Sequence, residues 1–332
     1  MTLMTVRGPI EAEAMGQVLL HEHVRVAFPG WDLEAKSRLK PRDEEISTSV
    51  ERMEQLLAHG VRTFVDPCPM ELGRDVTLLR AISEQSGMNI VCSTGFYYEE
   101  DGQGIPFYWR TRWPEEVAEL YLREITEGVG DTGIRPGVIK ASTSNPVGRH
   151  DRKMLVAAGL ASRESGLPII THTTHSGGVM DQIQAFDAAG LDPSRCLIGH
   201  QDQQEDYALL LEIVRRDFFV GFDRIGMNRQ VPDAHRADLV VRLIDDGFQH
   251  RIALSQDHMC YDPHPRPLYW IPRDREEEIM TQIHPVHEWE IAGRPHTHLM
   301  TDFFPLLRER GVSDEQIVSI MTDNPRRFLL GA

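Results

Sequence analysis

The sequence predicts an α/β protein with the architecture of a (β/α)8 barrel, or TIM barrel. Three observations favour this fold: eight short apolar runs, amphipathic segments between most of them, and polar residues placed late in several of the runs. The 332 residues are 41% hydrophobic, which permits one large core, and a single barrel commonly reaches this length. We therefore expect one barrel domain over residues 1–332.

The eight apolar runs have the length and composition of buried parallel strands. They are QVLLHEHV (17–24), VRTFVDPC (61–68), NIVCSTGFYY (89–98), GVIKAS (137–142), PIITHT (168–173), CLIGHQ (196–201), FFVGFDRIG (218–226) and RIALSQDH (251–258).

The segments between the runs repeat apolar residues at helical spacing, as Val117, Tyr121 and Ile125 do. An open doubly wound sheet is the alternative, but it normally has fewer strands and a glycine-rich first turn, and the chain has no GxGxxG motif. The clearest predicted helices are 43–60, 114–129 and 152–166, and weaker ones lie near 74–87, 178–190, 204–216 and 234–247.

Two segments lie outside the repeating pattern. Residues 1–16 predict a small N-terminal hairpin or lid. Residues 260–296 form a long loop after the eighth strand, rich in proline, histidine and tryptophan. A connection of this length is usually functional or disordered, and its aromatic residues favour a packed lid.

Charge and cysteine usage exclude several classes of protein. The formal net charge of -16 argues against a nucleic-acid or anionic-membrane partner, because both need a basic surface. No apolar run has the length of a membrane span, and the N-terminus lacks the pattern of a signal peptide. The four cysteines form no CxxC pair, so we expect a cytoplasmic protein.

The first run carries two histidines, His21 and His23, on either side of Glu22. Side chains alternate along a strand, so the two imidazoles would share one face and Glu22 would point the other way. Two imidazoles on one face can share a metal ion. An isolated HxH is more often an ordinary polar strand end, so the other runs have to decide.

Four later runs also end in residues that carry chemistry: Lys140, His172, His200 and Asp257. The carboxyl ends of barrel strands meet at one mouth, so these side chains should converge there. Four histidines and a carboxylate suit a borderline divalent metal such as zinc. Taken singly, each histidine could be a hydrogen-bonded residue at the rim of the barrel, and Asp257 could be a helix N-cap. Neither interpretation explains why such residues occupy equivalent positions in several of the runs.

Lys140 raises a separate question. An ammonium group beside metal cations is repelled and desolvated, so its pKa should fall. A neutral amine can react with carbon dioxide to give a carbamate, an anionic ligand with two oxygens. Half of a buried ion pair is the alternative that the residues leave open.

Together these motifs resemble the phosphotriesterase family of the amidohydrolase superfamily. The resemblance lies in HEH, GVIK, THTTH, IGH, GFDRIG and SQDH, in the opening TVRGPIEAEAMGQVLLHEH and in the closing TDNPRRFLLGA. Within the family, GFYY (95–98) and FDRIG (222–226) are most similar to the phosphotriesterase-like lactonases.

The resemblance implies two divalent metal ions per subunit, with zinc expected and cobalt, manganese and iron as alternatives. His21, His23 and Asp257 would bind the more buried metal, His172 and His200 the more exposed one, and N6-carboxylated Lys140 and a hydroxide would bridge them. The resemblance also places Tyr97 and Arg224 at the substrate, although Tyr97 packing beside Phe96 or Tyr98 and Arg224 pairing with Asp223 stay open. It further implies a homodimer, with Trp109 and Trp113 as candidate interface residues.

The function implied is hydrolysis of lactones, N-acyl homoserine lactones being one class, with promiscuous phosphotriesterase activity. The bridging hydroxide would attack a metal-polarised carbonyl, and Asp257 would accept the proton. The alternatives are a dedicated phosphotriesterase or other ester hydrolase, and a binding protein without turnover. In each case the partner is a small molecule.

Three departures from the family pattern put the substrate in doubt. They are Gln201-Asp202-Gln203 after the sixth strand, His258-Met259-Cys260 after the eighth strand, and the loop histidines His264, His284 and His287. Aromatic loop residues are expected to line an apolar pocket or entrance, with some of them buried instead against the barrel or in a dimer interface. These residues are Phe96, Tyr97, Tyr98, Phe107, Tyr108, Trp109, Trp113, Tyr269 and Trp270.

Overall fold

The computed structural model describes residues 1–33, 39–99, 104–228, 231–262, 273–278, 281 and 293–331. Strands β1 (Thr2–Thr5) and β2 (Gly8–Glu11) form an antiparallel hairpin. The eight predicted strands then form one parallel sheet in chain order. They are β3 (Gln17–Leu19), β4 (Val61–Asp66), β5 (Asn89–Gly95), β6 (Val138–Thr143), β7 (Ile169–Thr173), β8 (Cys196–Ile198), β9 (Phe219–Phe222) and β10 (Ile252–Leu254).

Backbone hydrogen bonds just beyond β3 and β10 close the sheet into a barrel. The Asp257 N–H donates to the His21 carbonyl at 3.1 Å, and the His23 N–H donates to the His258 carbonyl at 3.0 Å. A parallel bridge also joins His23 to Met259. The predicted (β/α)8 barrel is confirmed, and its seam lies at the carboxyl ends of the first and last barrel strands.

Helices follow the strands, and all seven predicted helical segments are present. The helices are α1 (Arg42–Ala58), α2 (Val76–Ser86), α3 (Phe107–Arg110), α4 (Pro114–Glu127), α5 (Arg149–Ser165), α6 (Val179–Ala189), α7 (Tyr207–Arg215), α8 (Asp233–Asp245), α9 (Phe304–Glu309) and α10 (Asp314–Leu330). Among them, α3, α9 and α10 were not predicted. Local chemistry sets several ends: the Asp75 side chain accepts the N–H groups of Thr77 and Leu78 at the start of α2. In the described residues, no helix has the length and apolar character needed to cross a membrane.

Apolar side chains from every strand fill the barrel interior. The N-terminal segment covers the end of the barrel at which the strands begin. The cluster comprises Leu3, Met15, Val18, Leu20, Val65, Val91, Val138, Ile170, Leu197, Phe219, Ala253, Phe328 and Leu329. The Val6 N–H donates to the Ile90 carbonyl near the start of β5, which places the hairpin at the amino ends of the strands. The predicted hairpin is therefore confirmed, and it lies at the opposite end from the mouth rather than serving as a lid.

The predicted lid after the eighth strand falls largely on residues 263–272, 279–280 and 282–292, outside the described residues. His264, His284, His287, Tyr269 and Trp270 are among them. All four cysteines are free thiols and are buried.

Replacing Phe219 with alanine should lower the free energy of unfolding by about 3–5 kcal/mol. The ring is fully buried inside the barrel and lies edge-on to Phe328, with their centroids 5.4 Å apart. Urea denaturation measures the loss. The matched control is Leu33→Ala, at a side chain that is 85% exposed, where the change should stay within about 0.5 kcal/mol. Equal effects of the two substitutions would contradict this account of the core.

Candidate metal centre

The six side chains predicted as metal ligands come together at the carboxyl end of the barrel. Only Lys140 and His172 lie within strands, β6 and β7 respectively. The other four, His21, His23, His200 and Asp257, follow the ends of their strands. Alternation along a strand therefore does not explain the HxH pair, because β3 ends at Leu19. Tertiary contacts across the seam place the two imidazoles instead.

Two of these positions adopt an unusual backbone conformation. His200 has φ 59° and Asp257 has φ 49°, both in the left-handed region. Residues other than glycine seldom occupy this region, and such strain concentrates at functional sites. At both positions the chain turns sharply as it leaves the strand.

The first group of donor atoms surrounds Asp257. Its Oδ1 lies 3.2 Å from His23 Nε2 and 3.9 Å from His21 Nε2. The Lys140 Nζ lies 3.1 Å from the same His21 nitrogen. These histidine and carboxylate atoms all lie within 4.8 Å of one another, a spacing that one metal ion can bridge.

The second group adjoins the first. His200 Nε2 lies 2.9 Å from His172 Nδ1 and 3.9 Å from Asp257 Oδ2. Asp257 therefore stands between the two groups, with one carboxylate oxygen towards each.

Buried carboxylates orient three of the imidazoles from behind. Asp223 bonds His21 Nδ1 through one oxygen and His200 Nδ1 through the other, both at 2.8 Å. Asp66 lies behind His23, with its Oδ1 3.3 Å from Nδ1. An Nδ1–H directed at a carboxylate leaves the Nε2 lone pair facing the mouth, which is the usual arrangement of histidine ligands.

The electrostatics of the site suit metal binding. Burial, reinforced by Lys140, lowers the pKa of His21 to about 3. Burial likewise holds the pKa of His172 well below its usual value, so both rings are neutral and can act as ligands. Burial opposes ionisation of Asp257, but its hydrogen bond with His23 and the nearby His200 hold its pKa well below the usual range. Burial opposes protonation of His23, but its hydrogen bonds with Asp257 and Asp66 raise its pKa well above the usual value, so a cation would have to displace the proton of this ring. With that proton displaced, imidazoles converging on an ionised carboxylate are a donor set that fits divalent cations.

Lys140 is 2% exposed and sits among the same donors. Burial lowers the pKa of its amine to about 8, although the charges of Asp257 and Asp223 oppose the shift. A substantial fraction of the amine is therefore neutral in mildly alkaline solution.

The two residues predicted to meet the substrate also reach the mouth. The Arg224 Nε donates to Asp257 Oδ2 at 3.1 Å, whereas Asp223 is occupied by the two histidines. The Tyr97 hydroxyl lies 3.5 Å from His172 Nδ1. The Tyr97 ring also packs on Tyr98, at 4.2 Å between centroids, so this side chain both packs and faces the site.

A cavity of about 290 Å³ opens over these groups. Its lining comprises His21, His23, Val26, Phe28, Pro69, Leu72, Tyr97, Lys140, His172, His200, Arg224, Asp257 and Met259. The lining thus combines the candidate metal donors with an apolar set, here called the apolar wall, of Val26, Phe28, Pro69, Leu72 and Met259.

The expected aromatic pocket is mostly wrong. Among the predicted aromatic residues in the described ranges, only Tyr97 lines the cavity. Phe96 and Tyr98 are buried, and Trp109 packs against the core, with its ring 6.1 Å from that of Phe96. Phe107, Tyr108 and Trp113 are exposed to solvent.

Two of the departures from the family pattern have local structural explanations. Gln201 donates to the Thr173 hydroxyl and the Gly199 carbonyl, both at 2.9 Å, and Asp202 pairs with the buried Arg236 at 2.6 Å. These contacts fix the chain on both sides of His200. In the other departure, Met259 contributes to the apolar wall.

Sequence reasoning missed Asp66, Asp223 and the apolar wall. Both aspartates end apolar runs, which is the signal that identified the candidate ligands. The wall residues come from loops after β3, β4 and β10. Spacing along the sequence does not predict that residues of separate loops line the same cavity.

Comparison with known proteins agrees with this arrangement. The model of the phosphotriesterase family matches residues 1–329. The chain is 31% identical over 324 residues to the aryldialkylphosphatase of Saccharolobus solfataricus, covering 97% of each protein. It is 31% identical over 337 residues to a phosphotriesterase homology protein of Mycobacterium tuberculosis, covering 98% of this chain and 97% of that protein.

A solved structure shares the fold over nearly its full length. A triple mutant of organophosphorus hydrolase from Deinococcus radiodurans superposes with a TM-score of 0.88 at 33% identity, covering 99% of this chain and 97% of that one. The family match, this likeness and the imidazoles and carboxylate gathered at the barrel mouth lead to one conclusion. The chain belongs to the phosphotriesterase family and is a metal-dependent hydrolase of the amidohydrolase type.

Proposed function

We propose that this protein hydrolyses lactones, N-acyl homoserine lactones among them, with weaker promiscuous activity on phosphotriesters. The observation that carries the proposal is the composition of the cavity, which is lined both by the candidate metal donors and by the apolar wall. The polar donors suit the reacting ester group, and the apolar wall suits an acyl chain.

The metal donors proposed are the six that converge at the mouth. His21, His23 and Asp257 would hold one divalent cation, His172 and His200 a second, and a modified Lys140 would reach both. Zinc is the metal we expect, because imidazole and carboxylate ligands dominate. When bound, such a pair of cations lowers the pKa of water between them and polarises a carbonyl or phosphoryl oxygen.

The modification proposed for Lys140 is carboxylation. The neutral amine nitrogen bonds to the carbon of carbon dioxide and releases a proton, giving a carbamate anion. Burial of the side chain, its short distance to His21 and its lowered pKa support this reaction. Binding to cations would then stabilise the carbamate.

Three side chains would assist the transfer of the proton and the departure of the leaving group. Asp257, ionised and directed into the mouth, would accept the proton of the attacking water. Arg224 would hold the other side of that carboxylate through its hydrogen bond to Oδ2. Burial and the neighbouring Tyr98 raise the pKa of Tyr97, so its hydroxyl keeps its proton and can donate to the departing ring oxygen.

A dedicated phosphotriesterase is the second candidate, and one observation favours it. The relatives named above are an aryldialkylphosphatase and an organophosphorus hydrolase, names that refer to phosphorus esters. The family assignment argues against the third candidate, a binding protein without turnover.

A substrate panel distinguishes the two enzymes. Protein loaded with zinc, cobalt or manganese would be assayed on acyl lactones of several chain lengths, lactone phosphates, simple esters and paraoxon. We expect the highest kcat/KM on an acyl lactone, with detectable turnover of paraoxon. Turnover of paraoxon with every lactone inert would overturn the proposal in favour of the second candidate.

The carboxylate behind the histidines should control metal affinity. Replacing Asp223 with asparagine removes the negative partner of both His21 and His200, so we expect metal affinity to fall by about 10–100-fold. Titration of metal-free protein with cobalt measures the change. Asp181→Asn on α6 is the control, since its carboxylate pairs with Arg152 on the helical surface. Unchanged affinity in the Asp223 variant would refute this role.

For assembly we propose a homodimer that covers the aromatic side chains of residues 107–113. Phe107 and Trp113 are 75% and 74% exposed, and exposed apolar clusters commonly mark interfaces. We expect Trp113→Ser to shift the sedimentation coefficient from that of a dimer towards that of a monomer. A wild-type protein that sediments as a monomer would exclude this assembly.

A further inference from the structure

The residue between the two first-strand histidines is a buried glutamate with no role in the chemistry described so far. Glu22 is 1% exposed and does not line the cavity. We propose that Glu22 is a positioning residue, which locks Asp257 and the two flanking histidines into one rigid half of the metal centre. Its effect on metal binding rests on the proposed function, whereas its effect on the backbone does not.

The side-chain oxygens of Glu22 accept hydrogen bonds from the chain on both sides of Asp257. Its Oε1 accepts the N–H of Gln256 at 2.7 Å, and its Oε2 accepts the N–H of His258 at 3.1 Å. The N–H of Asp257 itself donates to the carbonyl of His21 at 3.1 Å. Three consecutive amides are therefore held by two consecutive residues from the opposite side of the seam.

The two amides that Glu22 holds lie on either side of a residue with a strained backbone. Asp257 has φ 49°, a conformation that persists in a residue other than glycine only where its surroundings enforce it. Anchoring the amides on either side fixes the direction in which the Asp257 side chain leaves the backbone. Since Asp257 Oδ1 approaches both histidines, a small rotation of this backbone would separate the three donors.

The same contacts orient the histidines. The His23 N–H donates to the His258 carbonyl at 3.0 Å, and the His23 carbonyl accepts the Cys260 N–H at 2.9 Å. The Glu22 bonds and these two bonds form one continuous ladder across the seam. Each donor of the proposed buried cation therefore lies in this ladder or adjacent to it.

Only an acceptor with two oxygens meets both amides. Glutamine has the same shape, but its NH₂ group would face one of the two N–H donors, leaving a buried donor unsatisfied. Aspartate keeps both oxygens but is one methylene shorter, so it can reach only one of the two amides. Glu22→Gln and Glu22→Asp therefore test the number of accepting oxygens and the reach of the side chain separately.

Glu71 provides a matched control elsewhere in the barrel. It is also a carboxylate whose Oε1 accepts two backbone N–H groups, those of Tyr97 at 2.5 Å and Ile105 at 3.3 Å. Unlike Glu22, it meets its two amides with a single oxygen. Glu71→Gln therefore makes the same substitution but keeps an oxygen that can accept both N–H groups, in a loop that carries none of the proposed metal ligands.

The experiment is cobalt titration of metal-free wild type and variants, followed by visible absorbance. We expect Glu22→Gln to bind one cation as the wild type does and the other about 10–100-fold more weakly, with a changed spectrum. Glu22→Asp should show an intermediate loss, and Glu71→Gln should bind both cations with wild-type affinity. Wild-type affinity for both cations in Glu22→Gln would overturn the proposal.

Hydrogen exchange on metal-free protein tests the two Glu22 hydrogen bonds independently of the metal. Exchange of the Gln256 and His258 amides should accelerate about tenfold in Glu22→Gln, and that of Tyr97 and Ile105 should not. If the wild type binds fewer than two cations, the proposed function fails, and the exchange result alone decides the role of Glu22. Unchanged exchange at both amides would overturn the proposal even if activity were lost.

Discussion

Replacing Lys140 with alanine should lower kcat/KM for the best substrate by about a thousandfold. The proposed centre relies on this residue for the anionic group that reaches both cations, and a metal centre is worth several kcal/mol of transition-state stabilisation. Loss of the side chain also leaves space beside His21, where the amine now lies 3.1 Å from the ring nitrogen. Steady-state assays and metal analysis of the same preparation measure both effects.

Short carboxylic acids should restore part of the lost activity. Formate, acetate or propionate can place two oxygens in the space that the truncated side chain vacates, as the carbamate would. Lys153→Ala is the control, because the Lys153 amine donates to the backbone carbonyls of Trp109 and Arg110 and Lys153 does not line the cavity. Activity of Lys140→Ala that equals the wild type without any added acid would eliminate the bridging role.

Asp257→Asn should lower kcat by about 10²–10⁴-fold, the range typical for loss of a general base. Asparagine keeps an oxygen directed at His23 but cannot accept the proton of the attacking water. Asparagine also tolerates the left-handed backbone, so the fold should persist. Because Asp257 is also a proposed metal ligand, kcat is measured on the fully metal-loaded variant, and metal analysis of the same preparation separates loss of the cation from loss of the base. Because the pKa of Asp257 lies well below its usual range, the wild-type rate should hold down to acidic pH as far as this group is concerned.

Asp217→Asn is the matched control for that substitution. Asp217 is another aspartate with a left-handed backbone, at φ 68°, and it pairs with Arg251 away from the cavity. Its replacement should leave kcat unchanged. A fall in kcat of less than threefold in Asp257→Asn would mean that another group accepts the proton.

The fold was largely predictable because the spacing of apolar residues along the sequence indicates which side chains are buried. Segment 114–129 was predicted from apolar spacing, and α4 spans Pro114–Glu127. Strand ends were predicted less well: the run 251–258 contains a strand of only three residues, Ile252–Leu254. The backbone leaves the sheet there and turns through the left-handed residue Asp257, and apolar patterning carries no information about that turn.

The candidate ligands were predictable because polar residues at the ends of apolar runs are conspicuous. The residues that support them were not, since Asp223, which follows β9, contacts His21 from 202 positions away in sequence. Such contacts depend on the register and closure of the sheet. Glu22 does point away from the cavity that His21 and His23 line, but its bonds to the chain around Asp257 could not be predicted, because the chain has already left β3 at that point.

Closure of the seam also sets the order in which the protein can mature. Glu22 and Gln256, which are bonded across the seam, are separated by 234 positions in the chain. Until the segment after β10 has been synthesised and has folded, a partial chain therefore lacks one of the proposed ligands of the buried cation. We expect uptake of that proposed cation to follow closure of the seam, late in the maturation of the protein.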